Sequence, residues 1–377
     1  MTPRRIAAPP LAEIAVGVPV LLNLEPLGFD VGGTGLLARA TFVDQTGQRD
    51  GVWMYRTGSD IWESSVNLIV SAGLEGRSVD IFEATAAGGA SAAELFVRYR
   101  ETDGDRLFPV DRIAVIRTGQ LVDADLLLSV LGETANGPID RVLSTSDGRF
   151  LALQTLANNL VSGGEQDSND CSDIYLIDRL KGGVTRVSIA NGLEVRADVQ
   201  LDDMRLGSDG VLSIAFTTRD TSLSIQDRNE LDDVFVWRLP AATSASPGLP
   251  SLTLVSAAAG QSQGGAGALL SARGTFFASD SAAYSAQDTN GVSDVWLAAS
   301  GVSPVAAWPQ ALAVGGGMVA VDVDAAGNKL LLSGRSTALG LGAVTIDQLS
   351  LVDLRTGVLS ALTQSADGSA ADDAAIS

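Results

Sequence analysis

The chain has no histidine and a single cysteine, Cys171. Without histidine the commonest general base, the Ser–His nucleophile pair and the usual transition-metal ligand are missing together. One cysteine excludes an internal disulfide framework and any cysteine zinc cluster. No run approaches the ~20 uninterrupted apolar residues of a membrane-spanning helix. Near the start, Arg4 and Arg5 precede an apolar stretch, Leu11–Leu22, that Glu13, Gly17 and Pro19 interrupt. No small-residue cleavage site follows, so this is a poor secretory signal.

Positive charge is scarce as well. Lys+Arg 25 against Asp+Glu 45 gives a formal net charge of -20. That balance argues against nucleic acid, whose phosphates would be repelled, and points to cations as partners or counter-ions. Acidity that only keeps a β-rich surface soluble is the plain alternative. Of the 377 residues 46% are hydrophobic, which supplies a sizeable core and excludes global disorder. The length suits one large repeat array or two ordinary domains.

What the sequence does contain is a repeated loop that runs into an apolar strand. It reads Gln166-Asp167-Ser168-Asn169-Asp170-Cys171-Ser172-Asp173 before Ile174-Tyr175-Leu176. The frame returns as Gln226-Asp227-Arg228-Asn229-Glu230-Leu231-Asp232-Asp233 before Val234-Phe235-Val236. It returns again as Gln287-Asp288-Thr289-Asn290-Gly291-Val292-Ser293-Asp294 before Val295-Trp296-Leu297. The leading glutamines stand 60 and 61 residues apart, the mark of an internal repeat. Asp44–Asp50 before Val52–Tyr55 reads as a degenerate copy. Glu94 takes the place of the last Asp in a further unit, whose loop, Ala86–Ala93, carries no carboxylate.

Taken in order, residues 1–30 form an extended, Pro-containing lead-in with one plausible strand, Val16–Leu24. Residues 101–135 read as a longer connection, with strands at Ile113–Arg117 and Leu126–Leu131. From Arg141 each unit has four short strands. Asp147-Gly148 and Asp209-Gly210 mark tight hairpins between the first two, because glycine supplies the positive φ such turns require. The outer hairpin of one unit is enlarged by the insert Pro240–Ser251. Units beginning near Leu36, Val79, Arg141, Arg205, Leu269 and Val319 predict an all-β, six-bladed β-propeller of four-stranded antiparallel sheets over residues 31–377. Degenerate blades would fill 31–135 and regular repeats 136–377. Two β-sandwiches, with residues 1–135 separate, form the competing architecture.

The segment Ser144–Ser188 combines the Ser146-Asp147-Gly148-Arg149 hairpin, Asp173 before Ile174-Tyr175-Leu176, and the Asp178-Arg179-Leu180-Lys181-Gly182 turn. It resembles the TolB-type (WD40-like) β-propeller repeat of bacterial proteins. The resemblance implies a propeller ring, closed by pairing of the terminal strands. It implies little about activity, since propellers serve as enzymes, binders and scaffolds.

Two readings of the Asp-x-Asn-x-x-x-Asp loops stand. In one, Asp and Asn fold back on backbone N–H groups as Asx turns, and the last Asp pins the start of the third strand. In the other, Asp167, Asn169 and Asp173, Asp227, Asn229 and Asp233, and Asp288, Asn290 and Asp294 are oxygen ligands for Ca2+. No loop places a bidentate Glu beyond its turn, so a site would need ligands from a neighbouring blade or water. Trp53, Trp62, Trp237, Trp296 and Trp308 could stack on sugars, but strand positions favour packing between blades. Arg179 and Arg355 sit in outer turns, solvated or paired with carboxylates. Cys171 is expected to be exposed, and a catalytic role for it would need a base that is not apparent.

The expected function is a non-enzymatic, extracellular or cell-surface propeller. It would act as scaffold or interaction module for protein partners or for self-assembly, with calcium as a stabilising ion. The small, acidic stretch Ala366–Ser377 resembles an uncleaved type I secretion signal. The alternative is a calcium-dependent propeller hydrolase of lactonase or esterase type, with a central metal polarising its substrate.

Overall fold

A computed structural model of the chain describes residues 9, 11, 15, 17–29, 35–45, 47–56, 61–63, 78–87, 94–102, 110–117, 120–123, 134–162, 167–190, 192–241, 248–299, 302–313, 316–335 and 347–363. The chain falls into two compact units, Met1–Val187 (unit 1) and Ser188–Ser377 (unit 2). Each unit holds three four-stranded antiparallel sheets, every one made of four consecutive strands.

In unit 1, sheet 1 comprises β1 (Val20–Phe29), β2 (Gly35–Asp44), β3 (Gly47–Arg56) and β4 (Ile61–Glu63). Sheet 2 comprises β5 (Ser78–Ala87), β6 (Glu94–Thr102), β7 (Val110–Arg117) and β8 (Gln120–Asp123). Sheet 3 comprises β9 (Ile139–Ser144), β10 (Phe150–Thr155), β11 (Asp173–Asp178) and β12 (Gly183–Arg186). Unit 2 opens with a short hairpin, β13 (Ile189–Ala190) and β14 (Leu193–Glu194). Sheet 4 then runs β15 (Val199–Leu206), β16 (Leu212–Thr218), β17 (Asp233–Leu239) and β18 (Ser251–Leu254). A second small hairpin, β19 (Ala257–Ala258) and β20 (Gln261–Ser262), leads to sheet 5: β21 (Ala266–Ser271), β22 (Gly274–Ser279), β23 (Asp294–Ala298) and β24 (Val305–Ala306). Sheet 6 is β25 (Met318–Val323), β26 (Lys329–Gly334), β27 (Gln348–Asp353) and β28 (Val358–Ala361).

Successive four-stranded meanders of this kind are the build of β-propeller blades. Within unit 1 the first strands β1, β5 and β9 pack in succession, and within unit 2 β15, β21 and β25 do the same. Period-2 alternation explains how both faces of a sheet become core. Phe276 and Phe277 are neighbours on β22 and point to opposite faces. Phe276 packs with Leu330, Leu332 and Val352 of sheet 6, and Phe277 with Ala215, Val234 and Val236 of sheet 4. The third strands are therefore apolar without alternation: all of Asp173–Ile177 and Asp233–Trp237 is buried. Gly148 and Gly210 have φ of 69° and 76° in the first hairpins of sheets 3 and 4, as the Asp-Gly pairs predict.

The structure corrects several sequence expectations. β1 lies inside the expected lead-in and pairs along its length with β2, from Val20 opposite Val43 to Phe29 opposite Leu36. β7 and β8 are the outer strands of sheet 2, where the sequence read a connection. Glu94 heads the second strand of its sheet, so it is no counterpart of the last Asp of the loops. Asp44–Asp50 does fall between second and third strands, but as a tight turn in which Asp44 pairs with Gly47. Because each sheet uses four consecutive strands, no sheet among the described residues is shared by the two chain termini, and closure by paired terminal strands is not seen. Leu126–Leu131 and Ala366–Ser377 lie outside the described residues.

Candidate functional site

The three intact loops occupy one place in the sheet pattern, between second and third strands, and each ends on the first residue of β11, β17 or β23. Their backbones repeat. The Asn side-chain oxygen accepts the N–H two residues on: Cys171 to Asn169 at 2.7 Å, Leu231 to Asn229 at 2.9 Å, Val292 to Asn290 at 3.0 Å. The residue after each Asn takes positive φ (Asp170 58°, Glu230 56°, Gly291 66°), the left-handed geometry such turns need. The residue before the last Asp offers its carbonyl to the next sheet's leading backbone in unit 2. Gly265 N–H donates to Asp232 O at 2.7 Å, and Met318 N–H to Ser293 O at 2.9 Å. The Asx-turn reading is thus realised in all three loops.

The carboxylates themselves are a separate matter. First and last Asp are buried in every loop: Asp167 and Asp173, Asp227 and Asp233, Asp288 and Asp294. In unit 1 the pair meets a cation. The Arg186 guanidinium, 1% exposed, bonds the Asp173 carboxylate and stands 3.6 Å from Asp167 Oδ1. The Tyr175 hydroxyl donates to Asp167 Oδ2 at 3.4 Å, and burial pushes its pKa above the ordinary range.

In sheet 4 no cation stands beside the pair among the described residues. Ser256 Oγ–H donates to Asp233 Oδ1, which also accepts Gly264 N–H at 3.2 Å. Ser262 Oγ–H donates to Asp227 Oδ1 at 3.2 Å. Oδ2 of both carboxylates is buried without a hydrogen bond. Burial pushes the Asp233 pKa up to about 7, and the Asp227 charge adds to the rise while the Ser256 hydroxyl opposes it. Asp227 is also raised, first by burial. In sheet 5, Asn290 Nδ2–H donates to Asp294 Oδ2 at 3.1 Å and to Ala311 O at 2.9 Å. The Asn290 N–H steadies the Asp288 charge but closes no hydrogen bond, so both Asp288 oxygens are buried without a donor. Burial raises Asp288 and Asp294 alike.

Other sequence candidates resolve as packing or turns. Trp53, Trp237, Trp296 and Trp308 are buried, and Trp62 lies 5.2 Å from the Tyr55 ring. Arg179 donates to Glu94 at 2.7 Å and covers the Phe96 ring, while Arg355 N–H caps Asp353. Cys171 is half-buried.

Two features escaped the sequence reading. The first is a clasp repeated in unit 1. Asp50 Oδ2 accepts Ile81 N–H at 3.3 Å while Arg39 donates to Ile81 O. One sheet on, Asp111 Oδ2 accepts Ile139 N–H at 2.9 Å while Arg98 donates to Ile139 O. Arg100 Nη2–H holds Asp111 Oδ2 at 2.9 Å. Each clasp grips both polar atoms of one backbone residue in the next sheet.

The second is a cleft of about 550 Å³ between the turns of sheets 4 and 5. Register carries it: Arg205 pairs with Ser213, and Ser213 with Arg238, which puts all three on one face in a row. Arg273 comes from the β21–β22 turn, its Nη1–H donating to Gly327 O at 3.2 Å. Arg205 Nη1 is buried with no hydrogen-bond partner, and none of the three arginines forms an ion pair among the described residues. Asp209 is the carboxylate in the lining, with Oδ1 engaged by Val211 N–H at 3.1 Å. The arginine row lies where β16 begins and the Asp loop where it ends, so the two features sit at opposite ends of sheet 4.

No protein-family model matches the chain, and no curated protein does. Among solved structures, one from a study of two prolyl endopeptidases aligns over 90% of this chain and 42% of its own, at 10% identity and TM-score 0.50. The tricorn protease aligns over 86% and 38% at 10% identity, TM-score 0.39. The Dos1 propeller aligns over 89% and 77% at 12% identity, TM-score 0.39. The chain therefore spans about two-fifths of the protease chains it resembles, and the first of these likenesses speaks to the fold alone.

Proposed function

We propose that the chain is a non-enzymatic six-bladed β-propeller of TolB type, exported from the cell, that binds acidic segments of protein partners through the arginine cleft. The cleft is the observation that carries this reading. In a chain of net charge -20, three arginines share one opening without a carboxylate bound to any of them among the described residues. Guanidinium groups match carboxylates in two-point geometry, and serine and threonine hydroxyls alongside suit the same acceptors. Six consecutive four-stranded sheets support the blade number. The absence of histidine supports a binding role over acid–base catalysis.

The test is fluorescence anisotropy with a labelled oligoglutamate peptide and an oligolysine control at two salt concentrations. The oligoglutamate should bind, more weakly at high salt. The combined variant R205Q/R238Q/R273Q should weaken it at least about tenfold, the scale of a lost charge-assisted contact. Equal binding by that variant would refute the cleft as the site. Metal-independent ester, lactone or glycoside turnover abolished by one Ser or Cys substitution would refute the non-enzymatic reading.

A further inference from the structure

The fourth strands show why the three loops differ. Arg186 stands opposite Tyr175 in the β11–β12 register. The same position opposite Phe235 is Leu254, and opposite Trp296 it is Ala306. Tyr175, Phe235 and Trp296 are each the third residue of their strand, two after the last Asp of the loop, so these fourth-strand residues are true counterparts. Sheet 3 thus brings its own guanidinium to the carboxylate pair, and sheets 4 and 5 place aliphatic groups there.

What sheets 4 and 5 keep is the pair itself. Asp233 and Asp294 are 0% and 2% exposed, Asp227 and Asp288 3% and 5%. Oδ2 of Asp227, Oδ2 of Asp233 and both oxygens of Asp288 are buried without a hydrogen bond, the Asn290 N–H only facing Asp288. The Asp227 and Asp233 carboxylates are near enough for each to act on the other's charge. Two like charges side by side, out of water and without a counter-charge, are strongly disfavoured. Meanwhile the serines and asparagines around them fix the carboxylates from behind: Ser262 on Asp227, Ser256 and Gly264 N–H on Asp233, Asn290 on Asp294. Such outer contacts are what orient metal ligands.

We propose that the pairs Asp227/Asp233 and Asp288/Asp294 each hold one hard divalent cation of the calcium class, at the place the Arg186 guanidinium takes in sheet 3. The available donors are carboxylate oxygens with no nitrogen or sulfur among them, which selects calcium over transition metals. Water completes the shell on the exposed side of each loop, where Arg228, Glu230 and Thr289 face solvent. We leave out the pair Asp167/Asp173, whose carboxylates already face the Arg186 guanidinium.

Equilibrium dialysis of the full chain against calcium, after chelator treatment, tests this. Two ions should bind per chain. D227N and D288N should each lose one, and the double variant both. L254R should also lose one, since it supplies in sheet 4 the guanidinium that sheet 3 already has. Circular dichroism establishes that each variant is folded. If D227N does not fold, L254R decides for sheet 4, and an A306R variant does the same for sheet 5. Fewer than two ions on the parent chain overturns the proposal, as does retention of both ions by the folded D227N, D288N or L254R variant.

Discussion

In unit 1 two buried carboxylates meet guanidinium groups: Asp111 takes Arg100, and Asp173 takes Arg186. In unit 2, Asp227, Asp233 and Asp288 keep buried oxygens without a hydrogen bond, while Arg205 and Arg238, at the opposite end of the sheet that carries the first two, form no ion pair among the described residues. The same sheet pattern therefore serves two ends. Unit 1 spends its charges internally, on clasps and a closed ion pair. Unit 2 keeps charges of both signs apart, which leaves them for outside groups, a cation at the loops and an anion at the cleft.

The sharpest way to break that contrast is to make sheet 3 resemble sheet 4. R186L leaves Asp167 and Asp173 buried without their cation, and should destabilise unit 1 by about 3–5 kcal/mol in chemical denaturation. Adding D173N should recover part of that loss, because the second charge goes with it. A cost below about 1 kcal/mol would mean that Arg186 is not the counter-ion of the pair. Calcium should compensate in unit 2: saturation at 100 times Kd adds about 2.7 kcal/mol per site. The rise in thermal unfolding should exceed that given by sodium at equal ionic strength, and D288N/D294N should shrink it.

Smaller effects sharpen the comparison. Asp233 titrates near pH 7 when folded, against about 4 when unfolded. The folded state therefore binds the proton more tightly. That stability is complete below about pH 4 and is lost as pH rises toward 7. Chelator-treated protein should become less stable across that window, and D233N should flatten the decline; a parent profile that rises over the same window would contradict it. D111A should cost about 1–3 kcal/mol, the range for a buried donor left without its acceptor, by freeing Ile139 N–H and Arg100 together. The cleft variant R205Q/R238Q/R273Q should shift stability by less than about 0.5 kcal/mol while removing peptide binding. A larger shift would make the arginines structural.

The fold was legible where local chemistry repeats. Asp-Gly hairpins and an Asp before each apolar third strand located sheets 3 to 6, and the starts near Leu36, Val79 and Arg141 fall on or within three residues of β2, β5 and β9. β1 was read only in part, as Val16–Leu24, because Pro26 masks its second half, which pairing with β2 carries on to Phe29. Glu94 was misplaced because the strand read at Ile113–Arg117, part of β7, was assigned to a connection and not to sheet 2. At the loops, residue types gave the oxygen cluster but not its charge state. That depends on Arg186, Leu254 and Ala306, which lie 13, 21 and 12 residues from the last Asp of their loops and meet it only through strand pairing. The arginine cleft was illegible for the same reason, since Arg205 and Arg238 are joined by register alone.

The most direct test of the contrast between loops is an anomalous-scattering map from crystals grown with calcium or a lanthanide substitute. The account predicts one peak between Asp227 and Asp233, one between Asp288 and Asp294, and none beside Arg186. A map with no peak at the first two pairs, or with a peak between Asp167 and Asp173, would contradict it.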